Sequence, residues 1–174
     1  TLTILIIFLL VNELFGATIG LISATLWAID PNAIGFDRIA KEDSFLLFFF
    51  LLGNFFLVRS QTIAERGEKS PTLYYWAMAV AFGAMVASKY LPHFLAVCGA
   101  YYNLFQRIPA TKWRVGKTKW LTFFIVLGIS FLVFNPTILL PDTWREMLIF
   151  FGEKRIGHDA YEFAGNLYQN KLTT

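Results

Sequence analysis

The chain has 174 residues, of which 56% are hydrophobic, 18% aromatic and only 16% charged, with a formal net charge of +3. A soluble domain carries about 25% charged residues, because its surface needs them. Here the charges cluster between long apolar stretches, and a helix that crosses a bilayer needs roughly 20 apolar residues. The composition therefore excludes an ordinary soluble domain and indicates an all-α, polytopic transmembrane helix bundle.

The first apolar stretch, residues 2–29, is longer than one span of a hydrocarbon core about 30 Å thick requires. It is interrupted by Asn12-Glu13 and by Gly16. Because a glutamate is costly in the middle of a membrane, the sequence favours a helical hairpin with its turn at 11–16 over one long tilted helix.

A polar loop is predicted over residues 30–43, followed by a phenylalanine-rich span over 44–58 that Arg59 bounds. Asp43 or Ser44 would then be the N-cap of this span, where a side-chain oxygen accepts a hydrogen bond from a free backbone N–H.

Residues 59–72 are predicted to be a second polar loop, and the next span, 73–90, is rich in small residues. Small residues let membrane helices approach closely, which predicts that this helix is packed inside the bundle. Pro92 ends it, and a further span is expected to reach about Phe105. With a last span over 120–140, the chain contains about five to six spans.

The tail, residues 141–174, is predicted to lie at the membrane surface as an amphipathic helix. Thr143 and Glu146 are spaced as in a capping box at the start of a short helix. Three apolar side chains fall on one face of that helix, as in helices that lie in the interface: Trp144, Leu148 and Phe151.

The charges of the loops predict an orientation. Residues 106–119 contain five basic and no acidic residues, and residues 59–72 contain three basic against two acidic. Cytoplasmic loops carry an excess of lysine and arginine, so both loops are expected in the cytoplasm. Residues 30–43 and 141–174 are then extracytoplasmic. The basic stretch beside a span is better explained by this topology and by anionic lipid than by nucleic acid.

Three polar clusters fall on the extracytoplasmic side: residues 35–44, Ser88-Lys89-Tyr90 and residues 157–168. Helix capping or a solvated loop would explain the first, a lysine that snorkels to the interface the second, and an unspecific surface loop the third. Alternatively, Lys89 projects into a polar cavity and neutralises a phosphate, and the third cluster binds sugar hydroxyls or phosphate.

The first cluster and the helix after it, Arg38 to Phe49, resemble the luminal loop and following helix of the protein O-mannosyltransferase family, with an arginine, an aspartate five residues later and a phenylalanine-rich span. Ser88-Lys89-Tyr90 resembles the family's Ser-Lys-aromatic helix end, and residues 157–165 resemble an extracytoplasmic segment of bacterial relatives. The resemblance implies a GT-C-like fold, with 1–174 as a single transmembrane domain that is part of a longer one. It also implies that the family's acidic catalytic residue lies upstream of Thr1.

The implied function is that of an integral membrane glycosyltransferase, in a bacterial or archaeal plasma membrane rather than the endoplasmic reticulum. It would transfer a mannose-like sugar from a polyprenyl-phosphate donor to a protein, lipid or glycan acceptor on the extracytoplasmic side. The resemblance implies no particular cofactor and leaves a divalent metal ion open. Two residues are implied to be catalytic and four to bind substrate: Asp43 and Arg38; Lys89, Glu42, His158 and Tyr161.

Two other functions fit parts of the pattern. A transporter or flippase for a lipid-linked or amphipathic substrate would also use charges at membrane edges and broken helices. It should show charges near span centres and paired helix breaks, of which the sequence has few or none. A non-catalytic membrane scaffold would leave Asp43 and Lys89 far apart, so their separation distinguishes a scaffold from a shared site.

Overall fold

The structure is a computed structural model that describes residues 2–39, 42–66, 71–89, 117–155, 160–163 and 166–169. The chain divides into two compact units, residues 1–135 and 136–174. The described part of the first unit is helical apart from short connections. Its helices are α1 (Leu2–Phe15), α2 (Ala17–Ile29), α3 (Pro31–Ile39), α4 (Glu42–Arg66), α5 (Thr72–Ser88) and α6 (Lys117–Phe134).

The predicted hairpin in the first apolar stretch is confirmed: α1 and α2 pack against each other across a turn at Gly16. Gly16 has φ 90 and ψ 168, a backbone conformation that residues with a Cβ rarely adopt. At Gly20 the two helices approach so closely that a Cβ atom would lie 3.0 Å from the carbonyl oxygen of Phe8. The turn therefore brings α2 back along α1, and α1 in turn packs on α4.

The predicted polar loop over residues 30–43 is wrong, because most of it forms α3. Asp30 ends α2 and also caps α3, since its Oδ1 accepts a hydrogen bond of 2.9 Å from the backbone N–H of Asn32. Pro31 takes the first helical position, where its fixed φ and missing N–H cost nothing. The Asp-Pro-Asn sequence that suggested a loop is thus a helix start.

Helix α4 is longer at both ends than predicted. It begins at Glu42, so Asp43 lies within the first turn and the predicted N-cap role for Asp43 or Ser44 is wrong. It continues to Arg66, which corrects the predicted loop at 59–72. The polar side chains after Arg59 remain compatible with a helix because they bond to its own carbonyls: Ser60 donates to Leu57 (2.7 Å) and Thr62 to Val58 (3.1 Å).

Helix α5 lies in the centre of the first unit, between α4 and α6, as its small residues predicted. A Cβ atom at Gly83 would lie 2.5 Å from the carbonyl oxygen of Leu127 on α6. Next to this contact, Ser130 Oγ donates a hydrogen bond of 2.8 Å to the carbonyl of Val80. The core around α5 consists of Leu57, Tyr75, Met78, Ala79, Phe82, Met85, Val86, Phe123 and Leu127.

In the described ranges, one helix is long and apolar enough to cross a membrane, Asp43–Ala64. Shorter apolar helices of 10–17 residues accompany it: Leu2–Phe15, Ala17–Ile29, Thr72–Ser88 and Leu121–Phe134. The span expected to end near Phe105 and the basic stretch up to residue 116 lie outside the described residues. The number of five to six spans therefore stays a prediction, as does a single transmembrane domain over the whole chain.

The second unit begins with a short 3-10 helix, Pro136–Leu139, and α7, Pro141–Arg155. The helix predicted in the tail is present, but the capping box at Thr143 is wrong. The helix begins two residues earlier at Pro141, and the Thr143 hydroxyl donates a hydrogen bond of 2.7 Å to the carbonyl of Thr137. Trp144 and Leu148 are exposed on α7, as the interfacial interpretation requires.

Two short strands follow α7, and the prediction of an all-α chain did not include them. They are β1 (Ala160–Phe163) and β2 (Asn166–Gln169), which pair antiparallel with Tyr161 opposite Tyr168. This segment belongs to the tail that is predicted to be amphipathic. Among the described residues, the fold is therefore a helical bundle with one small antiparallel hairpin in its second unit.

Candidate functional site

Asp43 and Lys89 form an ion pair at one end of the first unit. Lys89 Nζ donates a hydrogen bond to Asp43 Oδ1 at 2.5 Å. About two fifths of each side chain is exposed, 40% for Lys89 and 39% for Asp43. The pair is therefore both held in place and accessible to a ligand.

The antiparallel packing of α4 and α5 brings these two charges together. Asp43 lies in the first turn of α4, and Lys89 directly follows the last residue of α5. At the other end of the same helix pair, the rings of Phe56 and Tyr74 lie 6.2 Å apart. An acid near a helix N-terminus and a base near a C-terminus are each stabilised by the helix dipole, so both charges suit their positions.

A cleft of about 280 Å³ opens beside Asp43, between α2, α3 and the start of α4. We call it the α2–α4 cleft. Its walls combine apolar side chains with an indole, two carboxylates, an amide and a hydroxyl. The lining residues are Trp27, Asp30, Asn32, Ala33, Asp43, Ser44 and Leu47.

A second cleft, of about 220 Å³, lies between α4, α5 and the end of α6. We call it the α4–α5 cleft. It is lined by aromatic and small side chains, and the rings of Phe49 and Phe134 lie 5.6 Å apart there. Ser88, the neighbour of Lys89 in the chain, is its polar member. The full lining is Phe45, Phe49, Ala84, Ala87, Ser88 and Phe134.

Both clefts adjoin the ion pair: Asp43 lines the α2–α4 cleft, and Ser88, which directly precedes Lys89, lines the α4–α5 cleft. Both combine apolar side chains with polar groups, which suits an amphipathic ligand that carries a negative charge. A lysine ammonium can neutralise negative charge as it develops on a phosphate, and the paired carboxylate fixes the position of the ammonium.

A second ion pair, which the sequence does not predict, joins Glu13 of α1 to Arg59 of α4. Arg59 Nη1 lies 3.0 Å from each carboxylate oxygen of Glu13. Glu13 is 11% exposed and Arg59 35%. Ionisable residues in an apolar setting need a partner, so each residue could have been expected to pair, although the sequence does not say with which residue.

Of the six predicted site residues, the structure brings two together, Asp43 and Lys89. Arg38 lies in α3 and Glu42 opens α4, but their side chains are outside the described part of the structure. Tyr161 has a described place only in the backbone of β1. His158 lies outside the described residues.

Sequence reasoning missed three residues of the α2–α4 cleft: Trp27, Asp30 and Asn32. Their signal was present, since Asp30 and Asn32 flank the proline at the start of the supposed loop. Within the described ranges, no group of three or more His, Cys, Asp or Glu side chains could hold a metal ion. The divalent ion considered from the sequence stays a prediction.

Comparison with known proteins gives one result. Residues 1–141 match the family model described as dolichyl-phosphate-mannose-protein mannosyltransferase. This range contains Asp43, Lys89 and both clefts. No curated protein and no solved structure matches the chain significantly.

Proposed function

Because the chain belongs to the dolichyl-phosphate-mannose-protein mannosyltransferase family, we propose that it transfers a mannose-like sugar from a polyprenyl-phosphate donor to an acceptor hydroxyl on the extracytoplasmic side of the membrane. Family membership makes it, in broad terms, a membrane glycosyltransferase. The donor, the acceptor, the side of the membrane and the site residues belong to the proposal.

The observation that carries the proposal is the ion pair of Asp43 with Lys89, which adjoins two clefts: one lined mainly by aromatic and small side chains, the other by an indole, two carboxylates, an amide and a hydroxyl among apolar side chains. A polyprenyl-phosphate sugar has three parts: an apolar chain, a phosphate and a polar ring. In the proposed complex the chain enters the α4–α5 cleft, the phosphate lies at Lys89 and the sugar lies on the Asp43 side.

The proposed reaction breaks the bond between the anomeric carbon and the phosphate oxygen while the acceptor hydroxyl forms a new bond to that carbon. The bonding electrons leave with the phosphate, whose negative charge increases. Lys89 stabilises that charge, and such groups are worth most when they are already held in position. Asp43 holds Lys89 through their hydrogen bond. The proton of the acceptor hydroxyl passes to a carboxylate base.

Arg38 is proposed to assist at the phosphate as a second cation, since arginine presents a fork of N–H donors to phosphate oxygens. Its helix, α3, contributes Ala33 to the wall of the α2–α4 cleft. Glu42, His158 and Tyr161 are proposed to bind sugar or acceptor. These roles come from the resemblance of the sequence to the family.

The direct test is a transfer assay with the purified protein in nanodiscs, with polyprenyl-phosphate mannose as donor and a hydroxyl-bearing peptide or lipid as acceptor. We expect Lys89→Met to lower the rate constant of transfer by about a hundredfold or more, the loss typical when one charge-stabilising group is removed. Arg66→Gln is the matched control, because Arg66 is an exposed cation at the other end of α4.

The control variant should transfer sugar at the rate of the unmodified protein. Full transfer by Lys89→Met, with normal expression, would remove Lys89 from the site. Absence of transfer by the unmodified protein with every acceptor class, together with movement of the lipid across the bilayer, would instead favour a flippase.

A further inference from the structure

We propose that the α2–α4 cleft binds the sugar ring of the donor. Trp27 and Asp30 contact the ring and determine which sugar is accepted. This inference rests on the proposed function and adds to it a binding site for the hexosyl group. Neither residue belongs to the set that the sequence predicted. Both come from the α1–α2 hairpin and its connection to α3.

The size and chemistry of the cleft fit one hexosyl ring. Its volume is about 280 Å³, which is near the lower end of ligand pockets, about 300–1,000 Å³. Small-molecule sites are mostly apolar, with a few polar groups that fix orientation. Here Ala33 and Leu47 supply apolar wall, and the polar groups come from four residues: Asp30, Asn32, Asp43 and Ser44.

An indole and a carboxylate are complementary to the two kinds of surface on a sugar. The flat apolar face of Trp27 suits the C–H face of a pyranose ring. A carboxylate is an acceptor with two oxygens, and sugar hydroxyls are donors. One oxygen of Asp30 accepts the backbone N–H of Asn32 at 2.9 Å, which holds the carboxylate in a fixed orientation. Asp30 therefore combines a structural bond with acceptor capacity for a hydroxyl.

The position of the cleft places a bound ring next to the phosphate site. Asp43 lines the cleft and is bonded to Lys89. A ring in the cleft would have its anomeric carbon toward the ion pair, and the lipid chain would continue past Lys89 toward the α4–α5 cleft. A site that hydrogen-bonds the hydroxyls of its ligand strongly rejects an analogue that lacks them, because the polar groups of the site are then left without partners.

The test compares the affinity of each variant for two lipids, polyprenyl-phosphate mannose and bare polyprenyl phosphate. Because the two differ only in the sugar, a loss confined to the first reports on sugar recognition. Asp30→Asn keeps a residue that can cap α3 but removes the charge, and Trp27→Leu removes the flat face. We expect each to weaken binding of the mannosyl lipid about tenfold, which corresponds to about 1.4 kcal/mol. Binding of bare polyprenyl phosphate should stay within about twofold. Trp27→Phe should lose less than Trp27→Leu.

Thr25→Ala is the control on the same helix. Thr25 is exposed, and its hydroxyl donates to the carbonyl of Leu21 rather than lining the cleft, so its replacement should change neither affinity. Equal loss for both lipids in Asp30→Asn and Trp27→Leu would overturn the inference, and so would unchanged affinity for the mannosyl lipid. If Asp30→Asn fails to fold, Trp27→Leu and Trp27→Phe decide the question. The proposed function is judged separately, by transfer in the unmodified protein and in Lys89→Met.

Discussion

Asp43 and Arg59 lie at opposite ends of the apolar part of α4, and each forms an ion pair with a residue of a different helix. The residues between them, 44–58, include no charged side chain. At about 1.5 Å per residue, the two positions are about 24 Å apart, close to the thickness of a hydrocarbon core. The two ion pairs therefore lie at the two ends of the apolar part of a helix that is long enough to cross a membrane, with Lys89 at one end and Glu13 at the other.

The orientation predicted from the basic loops places the Lys89 end of α4 outside and the Arg66 end in the cytoplasm. In a variant with Cys98→Ser, a single cysteine introduced by Asn32→Cys should react with a membrane-impermeant maleimide added outside intact cells. One introduced by Arg66→Cys should react only after the membrane is permeabilised. Asn32 is exposed near the first turn of α4, where it lines the same cleft as Asp43, and Arg66 is exposed at the other end of α4. The reverse labelling pattern would invert the orientation inferred from the basic loops.

The Glu13–Arg59 pair predicts a stability effect at the edge away from the proposed site. Glu13→Gln leaves Arg59 without its charged partner, and a hydrogen bond to a charged group is worth about 1.5–3 kcal/mol. We expect the thermal unfolding midpoint in detergent to fall by several degrees, in line with a loss of about 1–3 kcal/mol. Exchanging the charges, by Glu13→Arg together with Arg59→Glu, should recover part of the loss. An unchanged midpoint in Glu13→Gln would show that the pair contributes little.

The contact of α5 with α6 predicts a contrast between two glycines. Gly83→Ala puts a methyl group against the Leu127 carbonyl, whereas nothing lies within 4 Å of a Cβ atom at Gly128. Overpacking of this kind costs about 1–3 kcal/mol, and alanine otherwise favours a helix over glycine by about 1 kcal/mol. Gly83→Ala should therefore lower the unfolding midpoint, while Gly128→Ala should leave it unchanged or raise it. Equal effects would contradict the close approach at Gly83.

The turn of the first hairpin predicts a loss of stability on substitution of Gly16 that does not come from a steric clash. Gly16 has φ 90, and no atom lies within 4 Å of a Cβ atom placed there. Gly16→Ala should therefore destabilise only through its backbone, by about 1–3 kcal/mol. Gly16→Asn should cost about as much, because φ 90 with ψ 168 lies outside the left-handed helical region that asparagine tolerates. The measurement is again the unfolding midpoint, and an unchanged midpoint in both variants would contradict this explanation.

The sequence predicted those parts of the fold that depend on local chemistry. Glu13 and Gly16 interrupt an apolar stretch that is too long for one span. A turn at this point avoids the free-energy cost of placing a glutamate in the middle of the membrane. The small residues of α5 predicted its central position, because they allow neighbouring helices to approach. The start of α3 was predictable too, because Asp30 and Pro31 are typical of an N-cap and a first helical position. The loop was predicted instead because the segment is so polar.

Pairing across the bundle could not be predicted in the same way. Asp43 and Lys89 were each identified, but their contact depends on the antiparallel packing of α4 and α5, which no local pattern fixes. Arg59 is the clearest example, because its position in the sequence predicts only the end of a span, while its partner, Glu13, lies in the separate α1–α2 hairpin. The α2–α4 cleft is likewise formed by residues of three helices, whose polar members look like a loop in the sequence.

The central claim is that Asp43 and Lys89 act as one unit on the donor phosphate. A double-mutant cycle on the rate constant of sugar transfer tests it, with Asp43→Asn, Lys89→Met and the double variant. If Asp43 acts by holding Lys89, the double variant should be no slower than Lys89→Met, with a coupling of at least about 1.4 kcal/mol, a factor of ten. Losses that add independently, or full transfer by Lys89→Met, would contradict the claim.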